Sequence, residues 1–118
     1  MTQIDTSALR RLLNVIGGDV EDLTEFIDDY AEIAPELFAQ IKDGVAISNW
    51  NAVKIAAHSL KSNSNDLGAS TLANLCSGIE HESAQGGVEN IEEKIIQIAV
   101  EMEKALAALR TIDLETIG

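Results

Sequence analysis

The chain has 118 residues, 46% of them hydrophobic and 24% charged, which suits one globular domain with its own core. Its formal net charge of −12, with only eight lysines and arginines, argues against nucleic-acid binding and against an anionic membrane surface. Cys76 is the only cysteine, so no disulfide forms within the chain. The N-terminus lacks the basic and apolar regions of a signal peptide, and we therefore expect a cytoplasmic protein.

The first two predicted helices are separated by a glycine pair. Apolar residues at positions 9, 12, 13 and 16 form a short helical stripe, which Gly17-Gly18 should end. Asp19 is a suitable N-cap for the second helix. The apolar stripe of that helix runs over residues 23–41 at spacings of three and four, and Pro35 within it should kink or loosen the helix.

A third apolar stripe covers residues 50–67, with Asn49 or Ser48 as its cap and Gly68 as its end. A fourth covers residues 72–79 and closes at 85–87, and a fifth covers residues 91–109. Asn90 with Glu93 marks a start for the fifth helix, which could also begin nearer Val88.

The period-two alternation of β-strands is absent from the sequence. Helices with short connections pack as antiparallel neighbours. The sequence therefore predicts an all-α fold: an antiparallel, up-down four-helix bundle with an additional short N-terminal helix. We expect residues 1–118 to form a single domain, with a tail at about 111–118 that frays.

His58 is the residue on which chemistry could depend. At about 100° per residue it faces away from the core side of the third helix. The polar residues within about 60° of it are Asn51, Lys54, Lys61, Ser62 and Asn65. An imidazole nitrogen is a nucleophile, and a lysine at i+3 can contact an anion bound to it. An ordinary solvated histidine would show the same spacing, so both interpretations stand on spacing alone.

Other chemistries find little support in the sequence. A di-iron bundle needs Glu-x-x-His pairs, but the residues three before His58 and His81 are Ile55 and Gly78. We therefore expect no metal site and no cofactor, and we expect His81 to be a surface residue. The sequence also lacks a glycine-rich phosphate loop.

The segment 57–62, Ala-His-Ser-Leu-Lys-Ser, followed by Leu-Gly-Ala at 67–69 and by Leu72, resembles the signature of histidine-containing phosphotransfer (HPt) domains of bacterial phosphorelays. Residues 16–19, Ile-Gly-Gly-Asp, look like the first helical turn of that family, and the last helix matches in length. The resemblance covers nearly the whole chain.

The resemblance implies that His58 accepts and donates a phosphoryl group and that Lys61 steadies the phosphate. Glu80 occupies a position where the family often has Gln or Glu, although its charge would oppose a phosphate and it could be only a surface residue. The family's glycine after the lysine is Ser62 here. Gly68 is expected to be structural, because it permits a positive φ after the helix.

The implied partners are response-regulator receiver domains, with a hybrid sensor kinase as a further candidate. Because the chain is short and lacks a glycine-rich phosphate loop, we expect a monomeric carrier without ATP-binding or autokinase activity. Lys54, Ile55, Ser62 and Asn65 would form the docking surface. Two alternatives remain. A sensor-kinase dimerisation domain typically has an acidic residue and then a proline after its histidine, whereas Ser59 follows here. A scaffold bundle would use the same helices and leave His58 incidental.

Overall fold

The structure, a computed structural model of the chain, describes residues 4–117. It contains five α-helices followed by one turn of 3₁₀-helix, and no β-strand lies within that range. The helices are α1 Thr6–Val15, α2 Val20–Ala46, α3 Trp50–Asp66, α4 Ser70–Ser83 and α5 Ile91–Thr111, and the 3₁₀ turn is Leu114–Thr116. The all-α fold predicted from helical periodicity is thus confirmed.

The four longer helices form a closed bundle. α2 packs against α3 and α5, and α4 packs against the same two helices, while α1 lies against α2 and α3. The bundle encloses an aliphatic core, whose largest fully buried side chains include Leu9, Leu23, Ile41, Val53, Leu60, Leu72, Ile79 and Ile98. The short N-terminal helix is therefore an addition to the bundle, as expected.

The helix starts follow local capping chemistry. The Asp19 carboxylate accepts a hydrogen bond from the Glu21 amide at 2.9 Å, and the Asn49 side chain accepts one from the Ala52 amide at 3.1 Å. Asn90 begins α5 in a left-handed conformation and makes no side-chain cap. α2 remains α-helical through Pro35.

Gly44 brings α2 close to α3. A Cβ at this position would lie 2.8 Å from Cγ2 of Val53 and 3.2 Å from the Asn49 carbonyl oxygen. Only a residue without a side chain fits such an approach. Gly44 thereby sets the spacing of the two helices on one side of the candidate site.

The C-terminal segment differs from the fraying expected over residues 111–118. Ile117 is only 4% exposed, and its carbonyl oxygen accepts a hydrogen bond from Arg10 Nε at 3.0 Å. Ile112 and Leu114 also pack against the core. Burial of these apolar side chains outweighs the entropy of a free end, so the tail is held through Ile117. Gly118 lies outside the described residues.

None of the helices described is both long enough and apolar enough to cross a membrane.

Candidate functional site

His58 stands on the outer surface of α3. Its side chain is 60% exposed. The opposite side of the helix is fixed by Val53, Ala56 and Leu60, all buried in the core. Because these residues anchor the apolar side of α3, the polar side must face outward at His58.

The carboxylate of Glu80, on α4, joins the two residues singled out on α3. Its Oε2 lies 2.8 Å from His58 Nδ1, and its Oε1 lies 2.6 Å from Lys61 Nζ. The Glu80 side chain is 24% exposed and that of Lys61 is 26% exposed. His58, Lys61 and Glu80 thus form a contiguous triad on the α3–α4 side of the bundle.

The contact with Glu80 assigns the tautomer of His58. The bond to Lys61 is the main cause that lowers the pKa of Glu80 from its ordinary 4.5, and the bond to His58 acts in the same direction, while partial burial opposes both. Glu80 is therefore ionised at neutral pH and can only accept hydrogen bonds. Nδ1 of His58 must then carry a hydrogen, and in the neutral ring the lone pair therefore lies on Nε2.

The remaining predicted docking residues lie near His58 on the same helix but outside this triad. Ile55 is 57% exposed, Ser62 and Asn65 are exposed, and Lys54 is half-buried. Ile55 lies about 60° round the helix from His58 on the side of α2, and Lys61 lies about 60° round on the side of α4. His58 therefore occupies the crest between α2 and α4.

Three exposed apolar residues of α2 and its C-terminal end, next to α3, were not predicted from the sequence. Phe26 and Ile33 on α2 and Ile47, the residue that follows α2, are 45%, 41% and 74% exposed, and with Ile55 they form what we call the α2–α3 face. Two open grooves between these helices border it. Ile47 and Ile55 line one groove, and Phe26 and Ile33 line the other. The spacing of seven places Phe26 and Ile33 on one side of α2 and could have revealed these two residues.

Gly68 lies where α3 ends and has a φ of +80°. Its carbonyl oxygen accepts a hydrogen bond from the Asp5 amide at 2.8 Å, and a Cβ at position 68 would collide with the Asp5 carbonyl oxygen. The residue thus combines a left-handed backbone with a close backbone contact to the segment that leads into α1.

The other reactive side chains do not join the triad. Cys76 is buried in the core, and burial raises its thiol pKa to about 12. His81 is exposed on α4. Among residues 4–117, no cluster of three or more potential metal ligands from His, Cys, Asp and Glu occurs.

Comparison with known proteins gives a consistent picture. The family model described as "Hpt domain" matches residues 23–112. The structure is similar to that of histidine-containing phosphotransfer protein B from Pseudomonas aeruginosa PAO1, with a TM-score of 0.82 and 20% sequence identity over 91% of this chain and 90% of that chain. At this identity the likeness is one of fold. No curated protein matches the sequence significantly.

Proposed function

The chain belongs to the Hpt domain family, and from that premise we propose that it is a phosphorelay intermediate that carries a phosphoryl group on Nε2 of His58. It exchanges this group with the aspartate of response-regulator receiver domains, and a hybrid sensor kinase is a further candidate donor. It acts as a monomeric phosphocarrier in the cytoplasm, without ATP-binding or autokinase activity. The observation that carries the proposal is an exposed imidazole whose Nδ1 contacts Glu80, while Nε2 has no hydrogen-bond partner among the described residues.

The transfer needs little chemistry from this chain. The receiver brings an aspartyl phosphate and its own metal ion, and the Nε2 lone pair of His58 attacks phosphorus in line. The bond from phosphorus to the aspartyl oxygen breaks, and its electron pair stays on the carboxylate. Catalysis of this kind depends on positioning and on charge stabilisation. Glu80 contributes positioning, because it fixes the tautomer and the orientation of the ring.

Lys61 supplies the nearby cation. A phosphoryl group adds roughly two negative charges at neutral pH. Lys61 Nζ is already held beside the imidazole through Glu80, at 2.6 Å from Oε1. It can donate charge-assisted hydrogen bonds to phosphate oxygens from there. Its charge also offsets that of Glu80, which by itself would repel the phosphate.

The α2–α3 face supports docking of a folded partner next to His58. Exposed apolar side chains that cluster on one surface commonly mark protein interfaces. Ile55 lies one turn before His58 and continues this surface to the reacting residue, while Ser62, one turn after it, is small and exposed. A receiver seated on this face would bring its aspartate over Nε2. Lys54 and Asn65 lie at the edge of the proposed interface.

The direct test is transfer from a receiver domain carrying a radiolabelled aspartyl phosphate. We expect label to move to the chain in a form that is lost in acid and stable in alkali, as for a nitrogen–phosphorus bond. Protein that binds receivers but takes no label would be a scaffold, and the proposal would then be wrong.

A further inference from the structure

The bond between Glu80 and His58 bears on the proton that Nδ1 carries. We infer that Glu80 retains this proton after phosphoryl transfer, so that the phosphorylated ring stays an imidazolium and readily gives the group up. This inference rests on the proposed function. It means that the site favours transfer of the phosphoryl group to the next partner over a long-lived phosphohistidine.

The atom balance of the transfer shows why the Nδ1 proton matters. The form of the ring that can attack phosphorus is the neutral tautomer, with hydrogen on Nδ1 beside Glu80 and a lone pair on Nε2. Formation of the Nε2–phosphorus bond uses that lone pair, so the ring becomes a cation that still holds its Nδ1 hydrogen. The ring can then keep the proton or release it to water. Its later behaviour as a donor depends on which of the two occurs.

The two forms differ as phosphoryl donors. When the protonated ring transfers its group, the Nε2–phosphorus electron pair returns to Nε2 and the leaving group is a neutral imidazole. When the deprotonated ring transfers, the leaving group is an imidazolate anion, which is a far stronger base and a poorer leaving group. A ring that retains its Nδ1 proton therefore completes the cycle of acceptance and donation without any proton entering or leaving.

Glu80 is placed to retain the proton. Its Oε2 lies 2.8 Å from Nδ1, and its carboxylate is ionised. An ionised carboxylate on Nδ1–H stabilises an imidazolium, as the aspartate does in Ser-His-Asp sites. A neutral amide at the same place would accept the hydrogen bond but would not offset the cation. The charge of Glu80, rather than its hydrogen-bonding capacity alone, is thus the property that matters.

Among the described residues, the other charged side chains of α3 and α2 make no ion pair with the imidazole. On α3, Lys54 and Lys61 are cations that favour loss of the proton, and Asp66 lies two turns beyond His58. On α2, Asp29 and Asp43 line the grooves of the α2–α3 face. Among the described residues, only Glu80 makes a hydrogen bond to the imidazole. It is therefore the residue whose charge should govern the Nδ1 proton.

The test uses the intact chain phosphorylated chemically on His58 with phosphoramidate, so that no partner is needed. The pH at which the phosphorylated ring loses its Nδ1 proton is measured from nitrogen and proton chemical shifts for wild type, Glu80→Gln and Glu80→Ala. Loss of an adjacent opposite charge should lower this midpoint by about one pH unit in both variants. Glu80→Gln should also lengthen the phosphohistidine lifetime near neutral pH several-fold.

Glu82→Gln is the matched control. Glu82 is also on α4, but it pairs with Lys94 at 2.6 Å and not with the imidazole. In Glu82→Gln we expect the pH midpoint for loss of the Nδ1 proton and the phosphohistidine lifetime to equal those of wild type. Equal midpoints in Glu80→Gln and wild type, or the same shift in Glu82→Gln, would overturn the inference while leaving His58 as the phosphorylated residue. Failure of phosphoramidate to label His58 in wild type would instead contradict the proposed function, and the inference with it.

Discussion

The amide of Asp5 donates a hydrogen bond to the carbonyl oxygen of Gly68 at 2.8 Å, and this contact leaves no room for a side chain at position 68. The contact joins the segment before α1 to the turn between α3 and α4. Because α3 carries His58 and Lys61 while α4 carries Glu80, the same turn sets the register that brings the triad together.

Gly68→Ala should therefore lower the free energy of unfolding by about 2–4 kcal/mol, because a left-handed conformation costs 1–2 kcal/mol for alanine and the collision adds a packing term. Gly86→Ala is the control, since Gly86 has a φ of +97° but nothing within 4 Å of an added Cβ. Urea unfolding of both variants separates backbone strain from collision. Equal losses would show that the contact with Asp5 contributes nothing.

His58→Gln should abolish phosphoryl acceptance from a receiver and leave the helical circular dichroism unchanged, because the side chain is 60% exposed. His81→Gln, which alters the other histidine, should accept the label normally. Persistent labelling of His58→Gln would show that His58 is not the phosphoryl acceptor. Loss of labelling in His81→Gln would instead identify His81, on α4, as the acceptor.

Lys61→Ala should slow phosphoryl transfer or shorten the phosphohistidine lifetime, because the cation held beside the imidazole is lost. The free energy of unfolding should fall by about 1 kcal/mol or less, as for other partly exposed ion pairs. Lys94→Ala is a matched control, since Lys94 pairs with Glu82 at the same 2.6 Å between α5 and α4. If both variants transfer at the wild-type rate, Lys61 only forms an ion pair with Glu80 and does not contribute to transfer.

Ser62→Gln and Ser62→Arg should lose most transfer from a receiver, whereas Ser62→Gly should retain it. Ser62 is exposed, so a longer side chain costs the fold little, but it would keep a docked partner away from Nε2. Melting temperatures should stay within a few degrees of wild type. Phosphorylation by phosphoramidate should survive in all three variants. Wild-type transfer in the bulky variants would show that partners do not pass over this position.

The free energy of unfolding should decline at alkaline pH because two buried groups, the Cys76 thiol and the Tyr30 hydroxyl, resist ionisation in the folded chain. Burial raises the pKa of Cys76 from 9.0 to about 12 and that of Tyr30 from 10.0 to about 12, although the Ser64 hydroxyl, 2.7 Å from the Tyr30 hydroxyl, acts the other way. The unfolded chain releases these protons first, so their contribution is complete below about pH 9 and is lost as pH rises toward 12. Cys76 should cost about 1.4 kcal/mol per pH unit between pH 9 and 12, and Tyr30 should cost the same between pH 10 and 12.

Denaturant unfolding at several alkaline pH values measures this decline. Cys76→Ala removes one of the two groups, so its slope against pH should be shallower by about one proton. The native thiol should also react far more slowly with a disulfide reagent than the thiol of the unfolded chain. A slope in Cys76→Ala equal to that of wild type would contradict the explanation.

Apolar periodicity and capping residues were enough to predict the helices and the outward orientation of His58. Both depend on interactions between residues three or four apart, which apolar periodicity and the caps at Asp19 and Asn49 express directly. The resemblance to HPt domains singled out His58, Lys61 and Gly68 from a short continuous segment. Such features are local in the chain, and for that reason they could be predicted without a fold.

Contacts between side chains on different helices depend on how the helices pack in the folded bundle. Glu80 is separated from His58 by 22 positions, and its contact depends on the register of α4 against α3, which no local pattern specifies. The bond from Arg10 to Ile117 spans 107 positions, and it helps to hold a tail that sequence reasoning expected to fray. The contact of Asp5 with Gly68 likewise joins two residues that are far apart in the sequence. Packing of the whole core fixes these distances, so the electrostatics of His58 depend on the bundle and not on α3 alone.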